Sequence, residues 1–271
     1  MNEETYFENV RSYKLLAKKE VGQNFLGEPV YARKIVELLE AQEGEEILEI
    51  GCGAGSLSYF LSLGPAKSDL IDIDEGLLAK LKNDFEGNPY LNIQQGNAMR
   101  YDYSKYDKII GNLPYYITSG IIENALLGGR NCKRMVFMVQ KEAASRLLAK
   151  PETEDYSPLT IYLNYLYEGK RAFNVPRNAF YPAPHIDSTV LSFKLREGVS
   201  KEDAEGMYKL CKKLFLQRRK TILNNLKCVL KDQDKAKAAL EEAGIPVNAR
   251  PEEVLAEAYL KLSKSLSGGV E

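Results

Sequence analysis

The period of apolar and polar positions changes several times along the chain. Over residues 29–42, Val30, Ile35, Leu38 and Leu39 recur on one side at helical spacing and predict an amphipathic helix. From residue 46 the pattern becomes a series of short apolar runs. These are Glu46-Ile47-Leu48-Glu49-Ile50, Asp69-Leu70-Ile71-Asp72-Ile73, Tyr90 to Gln95, Lys108-Ile109-Ile110-Gly111 and Met135-Val136-Phe137-Met138-Val139. They read as five strands separated by helical stretches, one of them through Leu57 and Leu61, with Asp74 placed to cap another. Strands that are apolar almost throughout and alternate with helices predict an α/β fold, its parallel sheet covered on both faces.

Both ends of the chain read differently. Residues 1–20 predict a helical lead-in that is basic around Arg11, Lys14, Lys18 and Lys19. Near residue 170 the alternation stops. Phe173 to Phe193 is rich in proline and aromatics and ends in Thr189-Val190-Leu191-Ser192-Phe193, which predicts a late antiparallel pair. From residue 197 the pattern is helical, with a break at Gly244-Ile245-Pro246 and a loose tail from Ser263 to Glu271. The expected organisation is therefore an α/β domain over 1–196 and a small all-helical domain over 197–271.

Composition narrows the chemistry. Hydrophobic residues make up 44% of the 271, enough for a sizeable core, and the net charge of −1 does not mark a nucleic-acid binder as a whole. Cys52, Cys132, Cys211 and Cys228 form no C-x-x-C pair, and the start Met1-Asn2-Glu3-Glu4 lacks a basic-then-apolar signal. No apolar run reaches the ~20 residues that span a bilayer. A soluble cytoplasmic protein with reduced thiols is expected. The single histidine, His185, excludes multi-histidine metal sites, and no metal is expected.

Three segments carry candidate chemistry in the first domain. Gly51-Cys52-Gly53-Ala54-Gly55 follows a strand and opens a helix, where glycines let the backbone turn sharply and approach a ligand. Its G-x-G-x-G spacing differs from the dinucleotide G-x-G-x-x-G and fits a nucleoside cofactor without a pyrophosphate. Asp72 follows about 20 residues on, where a carboxylate accepts from ribose hydroxyls. Asn112-Leu113-Pro114-Tyr115 follows the fourth strand. The Asn112 side-chain oxygen and the Leu113 carbonyl could accept the hydrogens of an adenine amino group and free its lone pair, while Tyr115 stacks on the base. In Phe180-Tyr181-Pro182-Ala183-Pro184-His185-Ile186-Asp187-Ser188 two prolines stiffen a loop, and Phe180 is the expected second face of a base sandwich.

The helical domain carries a local charge. Tyr208 to Lys231 holds Lys209, Lys212, Lys213, Arg218, Arg219, Lys220, Lys227 and Lys231 without one acidic residue. Leu210, Leu214, Phe215, Ile222, Leu223 and Leu226 are interleaved among them. The segment reads as a basic amphipathic helix or helix pair suited to following phosphates. The consecutive Arg218, Arg219 and Lys220 are read as helical and fanned about 100° apart.

In this order, the motifs resemble the small-subunit ribosomal RNA adenine dimethyltransferases of the KsgA/RsmA type. The resemblance runs from Val21-Gly22-Gln23-Asn24-Phe25-Leu26 through the glycine loop, Ile71-Asp72-Ile73-Asp74, Gln95-Gly96-Asn97-Ala98-Met99 and Asn112 to Thr118. It continues through Gln140-Lys141-Glu142, the Phe180 to Ser188 loop and Arg218 to Leu226. It implies a Rossmann-like class I methyltransferase sheet, mostly parallel with one late antiparallel strand, and S-adenosyl-L-methionine as cofactor. It implies a monomer that dimethylates two adjacent adenosines in a hairpin loop near the 3′ end of small-subunit ribosomal RNA, within a partly assembled subunit. Gln23, Asn24, Leu26, Gly51, Gly53, Gly55, Asp72, Asn97 and Asn112 would hold the cofactor.

Cys52 stands where the family has proline, Asp72 where it has glutamate, and Asn97 where it has an aspartate that accepts from the adenine amino group. Two other readings stand beside this one: a large-subunit ribosomal RNA adenine methyltransferase, and a non-catalytic RNA-binding or transcription-accessory protein on the same fold. DNA adenine and protein glutamine methyltransferases usually carry proline at the position of Leu113.

Overall fold

The computed structural model describes residues 1–13, 23–114 and 116–267. Lys14, Lys18, Lys19, Val21, Gly22, Tyr115 and the last four residues of the expected tail lie outside them. The helices are α1 (Glu3–Ser12), α2 (Pro29–Glu37), α3 (Ser56–Leu61), α4 (Glu75–Asp84), α5 (Thr118–Gly128), α6 (Lys141–Leu147), α7 (Pro158–Leu166), α8 (Lys201–Leu214), α9 (Ile222–Leu230), α10 (Gln233–Glu242) and α11 (Ala256–Ser267). The strands are β1 (Phe25–Leu26), β2 (Glu46–Ile50), β3 (Lys67–Asp72), β4 (Leu91–Gln95), β5 (Lys108–Asn112), β6 (Arg134–Gln140), β7 (Tyr167–Val175), β8 (Phe180–Tyr181) and β9 (Ser188–Leu195).

The main sheet has the order β4-β3-β2-β5-β6-β9-β7. The pairs from β4 to β6 are parallel, and β9 runs antiparallel to β6. Central strands are buried on both faces: Ile47, Leu48, Ile50, Ile109, Ile110 and Met135 to Val139 are at most 1% exposed. That double burial makes them read as unbroken apolar runs. The chain passes from β4 at one edge to β5 beside β2, so the order of strand addition reverses between β2 and β5 while the strands stay parallel. Ligands settle beyond the strand ends at such a switch point. The register Ile50↔Gly111 brings Gly51 level with Asn112 there.

The chain forms two compact units, residues 1–144 with 170–194 and residues 145–169 with 195–271. The single boundary expected after residue 196 thus misses 145–169. Tyr156 and Ile161 of that stretch share a core with Met207, Leu214, Ile222, Leu240 and Tyr259, and Tyr162 stacks on Tyr208 with ring centroids 5.0 Å apart.

Several local expectations are also corrected. Helix α2 stops at Glu37 and not near 42, Glu40 takes φ +51°, and Val30 is exposed and not part of the core face. Ser263 to Ser267 is not tail but the end of α11, with Ser263 buried close to Gly206 of α8. The basic segment is a helix pair, α8 and α9, but Arg218, Arg219 and Lys220 occupy the turn between them and are not helical.

Glycine at 55 is required by packing against α1. Its φ is +87°, and a Cβ there would lie 2.2 Å from the Tyr6 hydroxyl oxygen and 2.5 Å from Leu81 Cδ2. Gly44 has φ +84° with nothing within 4 Å. Gly44→Ala should therefore cost only backbone strain, about 1 kcal/mol, whereas Gly55→Ala adds overpacking and should cost on the order of 2–4 kcal/mol. Urea unfolding of both variants checks this; equal losses would contradict the packing role.

Candidate active site

The cavity at the switch point is formed by the carboxyl ends of β2, β3, β4 and β5 and by the segment around β1. Gln23, Asn24, Leu26, Gly51, Gly53, Asp72, Asn97, Asn112 and Leu113, all singled out in the sequence, line it together. Glycines at 51 and 53 adopt φ +67° and +52°, which L side chains rarely take. The Gly51 N–H donates to the Ile71 carbonyl (2.8 Å), tying the loop to β3.

Asp72 organises the next layer. One carboxylate oxygen accepts from Gly53 N–H and the other from Asp74 N–H, each at 2.9 Å. Burial raises the Asp72 pKa, and these backbone hydrogen bonds oppose the shift. Asp74 caps α4 by accepting from Gly76 N–H and Leu77 N–H, and also accepts from Gln23 Nε2 at 3.3 Å. On the loop after β4, Gly96 N–H donates to the Asp72 carbonyl, and the Asn97 side-chain oxygen accepts from Met99 N–H at 2.9 Å. Asn97 therefore spends its acceptor partly within its own loop.

Asn112 ends β5. Its Nδ2 donates to the Asn24 carbonyl at 3.3 Å, which leaves the side-chain oxygen as the acceptor. Leu113 N–H is bound by the Met138 carbonyl (3.0 Å), and the Pro114 carbonyl accepts from Thr118 Oγ1 (3.0 Å) at the start of α5, so the turn is anchored on both sides. Tyr115 lies outside the described residues.

Two expected site residues fall elsewhere. Phe180 is 1% exposed, pairs with Leu26 across β8 and β1, and belongs to the hydrophobic core; it does not line the cavity. It is a core residue and not an exposed stacking face. Gly55 does not line the cavity either; it makes room for Tyr6, whose hydroxyl donates toward the Gly55 carbonyl at 3.2 Å. Leu26 lines the cavity, but its carbonyl is occupied by Ser56 Oγ at 2.6 Å.

Arg218 is likewise committed elsewhere. Its guanidinium donates to the carbonyls of Thr153 (2.8 Å) and Glu154 and lies 3.5 Å from a Glu252 carboxylate oxygen. It is half-buried and clasps its own unit. Lys209, Lys213, Arg219 and Lys220 are exposed, and Lys212 sits over the Tyr208 ring, 5.4 Å from its centroid.

Tyr116 and Glu49 are among the lining residues to which no role was assigned from the sequence. Tyr116, 68% exposed, stands at the cavity. Glu49 is 1% exposed and accepts from Ser58 Oγ at 2.6 Å. Burial pushes its carboxyl up to about 8; the Ser58 bond opposes this and the Asp72 charge adds to it. An acid set between the apolar Leu48 and Ile50 near the end of strand Glu46–Ile50 was the available signal. Among the described residues, the side chains lining the cavity include two acids, Glu49 and Asp72, and no lysine, arginine or histidine.

The family model described as Ribosomal RNA adenine dimethylase matches residues 14–267. The chain belongs to this family. It is 35% identical to Ribosomal RNA small subunit methyltransferase A of Lactobacillus johnsonii, over 95% of this chain and 93% of that one. It is 33% identical to the Moorella thermoacetica protein of the same description, over 95% of each. Among solved structures it is similar to a dimethyladenosine transferase from Plasmodium falciparum, with TM-score 0.75, 26% identity, and 89% and 96% of the two chains covered. The 23S rRNA methyltransferase ErmE shares the fold, with TM-score 0.68 at 24% identity over 90% of this chain and all of that one. Family membership makes this chain a ribosomal RNA adenine dimethyltransferase with a class I methyltransferase sheet.

The buried acid has a measurable consequence for the dimethyltransferase. In the unfolded chain Glu49 ionises near its ordinary value of 4.5, whereas the fold keeps the proton to about 8. The folded state binds more protons across that window, so this group's contribution to stability falls as pH rises through it, by up to about 1.4 kcal/mol per unit. Glu49→Gln should flatten unfolding free energy against pH between about 4.5 and 8. An unchanged profile in urea titrations would contradict the assignment.

Proposed function

We propose that this dimethyltransferase uses S-adenosyl-L-methionine to convert two adjacent adenosines, in a hairpin loop near the 3′ end of small-subunit ribosomal RNA, to their N6,N6-dimethyl forms. The substrate is a partly assembled small subunit, met by a monomer in the cytoplasm. One observation carries the cofactor choice: the described lining of the cavity presents two acids, Glu49 and Asp72, and no cationic side chain. Such a lining fits a net-positive sulfonium nucleoside and is poorly matched to a pyrophosphate.

When bound, the cofactor supplies an electrophilic methyl group on a sulfonium. Gly51 and Gly53 let the backbone approach it closely, and Asp72 has lone pairs left over for ribose hydroxyls after accepting its two N–H groups. Gln23, Asn24 and Leu26 border the cavity from the β1 side, and Asn97 borders it from β4. The Asn112 oxygen, oriented by its Nδ2 bond to Asn24, accepts one hydrogen of the target amine, and the Leu113 carbonyl accepts the other. That pairing favours a pyramidal nitrogen whose lone pair is released from the ring. Tyr115 stacks on the flipped base. Lys209, Lys212, Lys213, Arg219 and Lys220 face the RNA phosphates, and Arg218 serves the fold of their turn.

Purified enzyme acting on partly assembled small subunits, followed by nucleoside mass spectrometry, tests this reading. Wild-type protein should yield N6,N6-dimethyladenosine, and Asn112→Ala should slow its formation on the order of 10²–10³-fold without loss of fold. Absence of the modified nucleoside, or a near-wild-type rate for the variant, would overturn it. The basic turn is tested separately. Replacing Lys213, Arg219 and Lys220 by alanine should flatten the slope of log affinity against log salt by roughly 2–3 units, at about 0.7–0.9 per phosphate contact. An unchanged slope would place the RNA surface elsewhere.

A further inference from the structure

Glu49 is a cavity acid that the proposed roles do not use. It is the penultimate residue of β2, lines the cavity, and is held by Ser58 of α3 through one of its carboxylate oxygens. The titratable groups acting on it come from three elements: Asp72 at the end of β3, Cys52 in the glycine loop and Tyr6 of α1. Burial holds the Cys52 thiol and the Tyr6 phenol well above their ordinary values, so both remain neutral when Glu49 titrates. Asp72, with two backbone N–H bonds, is the better-solvated acid of the pair.

We propose that Glu49 is the specificity-determining group by which the cavity separates a sulfonium cofactor from its thioether product, releasing a proton when the cation enters and taking one back when the neutral product remains. This rests on the proposed use of S-adenosyl-L-methionine. Two acids lining one cavity with no cation among its described side chains resist joint ionisation, and a positive charge placed between them removes that resistance.

The protons balance over a turnover. Protonated Glu49 loses one to solvent as the net-positive cofactor binds. Methyl transfer breaks the sulfonium S–C bond, forms the N–C bond on adenine, and releases the amine proton. Glu49 then recovers one proton from solvent beside a product of zero net charge. Re-protonation removes the attraction that held the cation and adds none for the product.

Calorimetric titration of the full chain at pH 7, in buffers of different ionisation enthalpy, tests this with S-adenosylmethionine and S-adenosylhomocysteine as probes. About one proton should be released per S-adenosylmethionine bound and almost none per S-adenosylhomocysteine. The Kd for S-adenosylmethionine should tighten by up to about tenfold per pH unit between pH 6 and 8 and then level off, while that of the product stays flat.

Glu49→Gln should abolish both the proton release and the pH dependence. Ser58→Ala, which keeps the carboxyl but removes a bond favouring its charged form, should move the transition to higher pH. Equal proton release with both ligands, or release that persists in Glu49→Gln, would overturn the inference while leaving the cofactor reading intact. Failure of either ligand to bind at any pH would overturn both.

Discussion

Two backbone N–H groups, those of Gly53 and Asp74, end on the single carboxylate of Asp72. Around that convergence the site is arranged. It ties the glycine loop after β2 to the end of β3 and presents Asp74 as the cap of α4. Through the Gly96 N–H on the Asp72 carbonyl it also sets where the loop after β4 begins. The parallel register then does the rest, because Ile50 opposite Gly111 makes the glycine loop and Asn112 neighbours. The catalytic geometry is a by-product of strand ends brought level, with few side chains spent on holding it.

Charge decides what such a cavity admits. Folding has placed Glu49 and Asp72 on one cavity with no compensating cation among its described lining residues. An uncompensated buried carboxylate stays protonated or recruits a positive ligand. Under the proposed function, the cost to the empty protein and the preference for a cationic nucleoside have one physical origin. The glycine-rich turn is shared by many nucleotide-binding folds, and a second buried acid in the lining favours a net-positive nucleoside over a polyanionic one.

Much of this was legible in the chain. The five parallel strands were visible because burial on both faces leaves unbroken apolar runs, and Asp72 and Asn112 were placed by strand ends, whereas Asn97 came from the family resemblance. Other features depend on contacts far apart in sequence. Phe180 looked like a ligand-facing ring because a proline-rich loop has no period to show which side is buried; its pairing with Leu26 puts it in the core. Arg218 looked like its basic neighbours, since residue type does not reveal carbonyl partners at Thr153 and Glu154. Ile161 of α7 carries no local mark of the core it joins, which it shares with Met207 and Leu214. Gly55 was recognised as a necessary glycine, but the reason is Tyr6 on α1 and not a ligand.

The claim on which the account turns is that this cavity takes a cationic nucleoside and rejects phosphate-bearing ones. Equilibrium dialysis of the purified chain against S-adenosylmethionine, ATP and NAD at matched concentrations measures it directly. The account predicts one S-adenosylmethionine bound per chain, undisturbed by excess ATP or NAD. ATP or NAD binding that displaces S-adenosylmethionine with comparable affinity would contradict it.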